Sequence, residues 1–357
     1  MTESVLVLAW LVLAHLTADF LLQTDAIVHA KSGHGQRALA GLLSHGGIVA
    51  GCLIPAGLAF GGPGWAFLVV TAALHVVIDR SKVLLTRRAA LDALTTAREQ
   101  HEAPQPIEHL GRAWTPWPAA LFLLDQLAHL AVLFVAWAVL LSSAPLQSAW
   151  TDAITRLLGA WDLAVVHDVV SVGVVLACLA IANIPGASIF VAVLVRPVEQ
   201  SEDETRWGSR AGPAVSASPA DPPPPIAGTV PAAAVIEPDA SRRWSVRIGP
   251  LDASIQADPV PPPIAVAPVA PPPSPAIQNA KVGATIGILE RILVVVFVLT
   301  GSEAAIGFVV AAKTLARFRL LDDRDFAEYY LLGTLASVAV AIVTALIGKA
   351  ALGALLA

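Results

Sequence analysis

Apolar runs close to 20 residues long recur along this chain, and they constrain its fold more than any other feature. Runs of that length match the hydrocarbon thickness of a bilayer. The composition agrees. Of 357 residues, 56% are hydrophobic and 14% charged, and the mean hydropathy is +0.71. The sequence therefore predicts an all-α, polytopic transmembrane helix bundle. Eight spans can be drawn, at 4–23, 37–60, 65–86, 117–142, 164–195, 283–301, 303–317 and 329–355. The fifth is interrupted by Asn183, Pro185 and Gly186, so it reads as one kinked helix or two short ones. The first span reads as retained, since Glu3 precedes it without a basic residue and its apolar part carries ionisable groups.

Lys and Arg set the orientation. On eight spans, one side collects Lys31, Arg37, Arg80, Lys82, Arg87, Arg88, Arg98, Arg112, the bases of 196–281, and Lys313, Arg317, Arg319 and Arg324; the other has Arg156 and Lys349. The positive-inside rule makes the first side cytoplasmic and puts both termini outside. The net charge of −5 adds little, and nothing points to nucleic acid. Cys52 and Cys178 form no metal or disulfide pattern and read as packing residues.

Composition divides the chain into a five-span unit at 1–196, a linker at 197–280 and a three-span unit at 281–357. The linker holds 19 of the 27 prolines, a composition that favours extended, solvated, disordered chain on the cytoplasmic side. Its "SRRWSVRIGPLDASI" alternates briefly like a strand, but disorder is the preferred reading there too. Its PPPP and PPP runs suit a protein partner of the SH3 kind, but a plain spacer is the strongly preferred reading.

Within the spans, "HLTADFLLQTD" places His15 and Asp19 four residues apart. "LHVVIDRSK" repeats the spacing with His75 and Asp79, "LLDQLAHL" reverses it with Asp125 and His129, and "LLSHGG" adds His45. Residues four apart share one helix face, about 6 Å apart along the axis. Spans 1 and 3 run inward with their pairs late, and spans 2 and 4 run outward with theirs early. All seven groups then fall in the cytoplasmic part of the bilayer. Each ionisable group near the bilayer centre costs roughly 2.5–3.5 kcal/mol, so such residues face the bundle interior and act there. Imidazole and carboxylate suit Zn²⁺ or Mn²⁺ better than Ca²⁺ or Mg²⁺, as one ion with supporting partners or as two ions sharing carboxylates. The bland alternative is three His–Asp pairs gluing helices together.

These segments, with the carboxy-terminal "GATIGILERILVVVF", "IGFVVAAKTLARF" and "AEYYLLGTLAS", resemble the bacterial membrane family known as domain of unknown function 3307, over about 8–130 and 283–340. The resemblance implies a fold, a bacterial inner-membrane location and no activity. The His/Asp pattern is similar in kind to that of small membrane-embedded metal-dependent hydrolases. On matching positions the implied set is His15, Asp19, Gln23, Lys31, His45, His75, Asp79, Lys82, Asp125, Gln126 and His129.

Three function classes fit. In a metal-dependent hydrolase, His15, Asp19, His75, Asp79 and His129 supply ligands. Asp125 is the base or a bridging ligand, and His45 a ligand or acid. Lys31, Lys82, Gln23 and Gln126 hold substrate; as bland alternatives the lysines are interfacial anchors and the glutamines helix glue. A metal-ion or proton transporter uses the same residues as a relay. A scaffold uses them for packing alone. The order is hydrolase, transporter, scaffold, because the outer halves of spans 1–4 offer no continuing polar path. Partner readings are the lipid bilayer, a second copy of the chain, and a protein on the linker. Gly283 with Gly287, and Gly333 with Ser337, predict close helix packing. Glu290 is a further candidate for the cluster, Lys313 reads as interfacial, and His29, His34, His101, His109, His167 and Asp168 lie outside it. A nucleophile elbow, a P-loop, H-E-x-x-H and a dinucleotide fingerprint are all missing, which leaves a metal-activated water as the nucleophile of any hydrolase.

Overall fold

A computed structural model describes residues 2–100, 114–159, 161–195, 244–248, 251–255, 275–318, 321–322 and 324–357. The helices are α1 (Thr2–Phe20), α2 (Asp25–Lys31), α3 (Gly35–Phe60), α4 (Gly62–Gln100), α5 (Trp117–Leu140), α6 (Ser148–Leu158), α7 (Leu163–Ile181), a π-turn (Ala182–Gly186), α8 (Ala187–Val195), α9 (Pro275–Leu299), α10 (Ala305–Ala316) and α11 (Arg324–Leu355). Two strands, β1 (Trp244–Ile248) and β2 (Leu251–Ile255), pair antiparallel from Trp244↔Ile255 to Ile248↔Leu251.

The chain divides into two units, Met1–Thr205 with Ala276–Ala357, and Arg206–Pro275. The first is the helical bundle. The hairpin belongs to the second, and places Trp244–Ile248 and Leu251–Ile255 in strands, the alternative that the short alternation offered beside disorder. The rest of the linker reading lies outside the described residues, except that α9 begins at Pro275, inside the stretch expected as linker. His101 and His109 also lie outside them.

Among the described residues, five helices are long and apolar enough to cross a membrane: Gly35–Phe60, Trp117–Leu140, Leu163–Val195, Val282–Leu299 and Ala327–Leu355. Ser4–Phe20 and Asp25–Lys31 pass the same test together but are bent by 81° at their break, as in a broken span or a re-entrant loop, and bring the number to six where the pair counts as one span. The expected eight spans are revised at two places. Span 3 is the first part of the 39-residue α4, which at 1.5 Å per residue is about 58 Å long and overshoots a ~30 Å core. Span 7 is the 12-residue α10, about 18 Å long. It still runs back beside α9, because Lys313 reaches Glu290 and Arg317 lies at Gly283. α11 then runs parallel to α9, with Ser337 level with Arg291 and Lys349 level with Val298.

The fifth span is one run, not two helices. Pro185 has no N–H to give back along the helix, and the backbone widens into the π-turn there. Asn183 stabilises it by donating to the Leu179 carbonyl (2.9 Å) and to Thr344 Oγ1 on α11 (3.0 Å). Arg291 of α9, buried, donates to the Asn183 carbonyl (2.6 Å), Ser188 Oγ (2.6 Å) and Ser337 Oγ (3.1 Å). Close packing also corrects one motif. Gly333 lies against Val195 and Val191, as a packing glycine should, whereas Gly283 and Gly287 leave room for the side chains of Arg317 and Arg291.

α1, α3, α4 and α5 pack together around a dry core of Leu11, Val49, Leu53, Phe60, Phe67, Leu133 and Ala136. α3 turns into α4 through Gly61, at φ 63°, which a residue with a Cβ tolerates poorly. Three residues on, a Cβ on Gly64 would run into the Ala56 carbonyl. These two glycines bring α3 and α4 back to back as a tight hairpin. That sets the level at which His45 and His75 face each other.

Candidate functional site

The i, i+4 spacing places His15 above Asp19 on α1, His75 above Asp79 on α4, and Asp125 below His129 on α5. α3 contributes His45. All seven side chains are buried, and they meet at one level beside the dry core. His45 Nε2 and His75 Nε2 are 3.0 Å apart. Each lies 3.4 Å from Asp19 Oδ1. Asp79 Oδ2 is 3.6 Å from His45 Nε2. The His75 ring stacks on His129 with centroids 3.9 Å apart, and the His15 ring lies 5.3 Å from His129.

The second layer holds the remaining four expected residues. α1 ends at Phe20, the chain bends, and Thr24 caps α2 by accepting from the Ile27 N–H. The end of α2 lies on Gly41, where a Cβ would collide with the backbone of Ala30 and Lys31. This close approach turns Lys31 inward. Its ammonium is buried and donates to Gln23 Oε1 and Asp79 Oδ2, both at 2.8 Å. The interfacial-anchor reading of Lys31 is thereby corrected: both contacts are internal. Lys82 donates to Asp125 Oδ2 at 2.7 Å and lies over the Phe122 ring, with its side chain 25% exposed. Gln126 Nε2 donates to Asp19 Oδ2 and Asp125 Oδ2, both at 3.2 Å. Arg87 braces the α2–α3 connection through the carbonyls of Ser32 and Gly33. All eleven expected residues thus form one connected network.

Charge is not balanced within it. Lys31 neutralises Asp79 and Lys82 neutralises Asp125. Among the described residues Asp19 has no lysine or arginine partner; it faces His15, His45, His75 and Gln126. A buried carboxylate requires a cation or a shared proton. Several ligand-type atoms are also left without a hydrogen bond: His15 Nε2, Asp19 Oδ1, Asp125 Oδ1 and His129 Nδ1. Three overlapping triads have the spacing to hold a metal ion: His15–Asp19–His75, His45–His75–Asp79, and Asp79–Asp125–His129. A cavity of about 10 Å³, lined by His15, Thr71, His75 and His129 and closed by Leu53 and Leu133, adjoins them. That is room for about one water.

Sequence reasoning missed Thr71, whose hydroxyl lacks a partner at the cavity wall. A lone Thr in an apolar run carries no signal, since its hydroxyl usually bonds its own helix. Glu290 does not join the cluster; it pairs with Lys313 at 2.5 Å, which also draws Lys313 away from a purely interfacial role. His167 and Asp168 pair with each other at 3.3 Å, outside the network.

No curated protein and no solved structure matches this chain. One family model does, over residues 7–158, a segment that contains the whole network but leaves α7 to α11, and the likeness drawn from 283–340, outside it. Residues 7–158 match the model of the family described as Protein of unknown function (DUF3307), and over that segment the chain is similar to it.

Proposed function

We propose that the network is a divalent transition-metal centre inside the membrane bundle, serving hydrolysis of a membrane-soluble ester or phosphoester at the cytoplasmic leaflet. One observation carries it: His45 Nε2, His75 Nε2 and Asp19 Oδ1 form a triangle with edges of 3.0, 3.4 and 3.4 Å. Bonds of about 2.0–2.1 Å to a tetrahedral ion give ligand–ligand edges near 3.3–3.4 Å. Asp79 Oδ2, 3.6 Å from His45 Nε2, is the natural fourth donor. Zn²⁺ or Mn²⁺ fits such a mixed nitrogen and oxygen set.

This reading narrows one role expected from the sequence and changes another. His45, expected as a ligand or acid, takes the ligand role. His15 and His129, which line the water-sized cavity, become the proton-handling pair. Asp125 keeps the role of base or proton store, because Lys82 and Gln126 hold its Oδ2 while its Oδ1 is left without a hydrogen bond. A metal at this position would supply a nucleophilic hydroxide at neutral pH. The protein's own residues would orient it, accept its proton and exclude bulk water. Transport ranks lower: the dry core of Leu53, Phe60, Phe67 and Leu133 interposes apolar side chains beyond the cluster.

The lysine asymmetry of the sequence supports placing the cluster near the cytoplasmic face. The test is elemental analysis of detergent-purified protein and of a His45→Ala/His75→Ala variant of equal yield and helicity, followed by lipid-ester and phosphoester assays. Near-stoichiometric zinc or manganese, lost in the variant together with hydrolysis, is the expected result. Folded protein that stays metal-free after reconstitution with both ions overturns it.

A further inference from the structure

A second cavity lies on the membrane-facing side of the network. It is a groove of about 500 Å³ between α4 and α5, lined by Val70 and Leu74 from α4 and by Ala131, Val132, Val135 and Val139 among others from α5. Its named lining is wholly apolar. Val70, Leu74, Val135 and Val139 are 42%, 41%, 58% and 72% exposed, as expected of side chains meeting lipid. Its volume is within the range of small-molecule sites.

Two features separate this groove from an ordinary furrow between helices. Val132 lines both the groove and the water-sized cavity of His15, His75 and His129, so the two spaces adjoin at that side chain. The polar groups are also ordered along the same helix pair. Moving along α4 away from Val70, one meets Leu74, then His75 and Asp79, then Lys82. Lys82 lies eight residues past Leu74, about 12 Å along the axis. It is the part-exposed cation of the network: it gives one N–H to Asp125 Oδ2 at 2.7 Å and keeps a side chain 25% exposed for a further anion, whereas Lys31 is buried and donates to both Gln23 and Asp79.

We infer that the α4–α5 groove binds one hydrocarbon chain of an anionic lipid, with its headgroup at Lys82 and its polar linkage level with His75 and His129. The ordering of the groups fixes this orientation. A lipid of the leaflet on the Lys82 side would lay its chain up the groove toward the bilayer middle. The inference deepens the hydrolase reading and rests on it for the fate of the bound lipid; the groove itself stands on separate residues.

The chain in the groove leaves one apolar medium for another, so selectivity comes from packing and from the headgroup. A lysine near an anionic lipid contributes about fivefold in occupancy. The test uses the full chain in vesicles of phosphatidylethanolamine and phosphatidylglycerol, with a trace of phosphatidylglycerol carrying a diazirine midway along one chain. After illumination, labelled peptides are mapped by mass spectrometry and metal content is measured on the same samples. The expected result is labelling at 70–74 and 131–140 about fivefold above the exposed face of α7 around Val169. Ala131→Trp, which fills the groove from its lipid side, should bring labelling down to the α7 level with metal content unchanged, while Val169→Trp changes nothing. Lys82→Gln should abolish the preference over a zwitterionic probe of the same chain. Labelling spread evenly over lipid-facing helices, or unaffected by Ala131→Trp, overturns the groove as a site. Groove labelling in a protein without metal would sink the metal centre and keep the groove; bound metal with even labelling would do the reverse.

Discussion

His45 and His75, thirty residues apart and on the two arms of a helical hairpin, meet with their Nε2 atoms 3.0 Å apart. Neither is solvated, and Asp19 Oδ1 sits 3.4 Å from both. Two imidazole nitrogens that close can share one proton in a neutral hydrogen bond, and in that state the Asp19 charge has no lysine, arginine or imidazolium beside it among the described residues. A divalent ion satisfies all three atoms at once, and the following expectations start from that arrangement.

Replacing either histidine removes one corner of the triangle. His45→Ala or His75→Ala should weaken zinc binding by more than the roughly 10–100-fold typical of losing a supporting partner. Competition against a calibrated chelator measures this. Unchanged affinity in both variants would place the metal elsewhere.

Lys31 and Asp79 form a buried pair at 2.8 Å with side chains 8% and 3% exposed. Lys31→Met leaves the carboxylate alone and should destabilise the fold by about 3–5 kcal/mol. Lys31→Met with Asp79→Asn should recover most of the loss. Unfolding of the purified protein in mixed detergent micelles measures both, and a single variant as stable as the wild type would mean that Asp79 is already neutral.

Gly64 is where α4 presses on α3, with no room for a Cβ beside the Ala56 carbonyl. Gly64→Ala should cost about 1–3 kcal/mol and lower metal occupancy by shifting His75 against His45. Gly47→Ala, on α3 with nothing within 4 Å of its added Cβ, should do neither. Equal effects at the two positions would count against the tight hairpin as the element that sets the histidine level.

Arg291 joins α9 to the π-turn, α8 and α11 through hydrogen bonds from its Nε and both terminal nitrogens. Lysine keeps the charge but not the fork that reaches three acceptors. Arg291→Lys should therefore cost about 1–3 kcal/mol, read as a lower detergent unfolding midpoint and faster proteolysis near α9, with metal content retained. Loss of metal in this variant would mean that the seam and the cluster are one cooperative unit.

Much of the site was legible before any fold was known. α1, α4 and α5 each carry a His–Asp pair at i, i+4, and that spacing is local. It fixes two groups on one face whatever the helix packs against. The reversal of order in α5 and the lysine asymmetry are equally properties of the string. The membrane helices follow from run length. What the string left open involves distance between segments. The seventh span was drawn at 303–317, short for a crossing, and the string did not say how much of it stays helical; the helix keeps Ala305–Ala316. "WSVRI" and "LDASI" needed a pairing partner to become strands.

The sequence by itself determined which residues this protein commits to the membrane interior and which helix face each occupies, because hydropathy and the 3.6-residue period act within a segment. Only the tertiary structure decided that His45 completes the triangle, that Lys31 is an internal counter-ion and that Asp19 is the carboxylate without one. Those outcomes depend on where α1, α3, α4 and α5 cross. Backbone approach at Gly41 sets the contact of α2 with α3 and approach at Gly64 that of α4 with α3, and no periodicity encodes either.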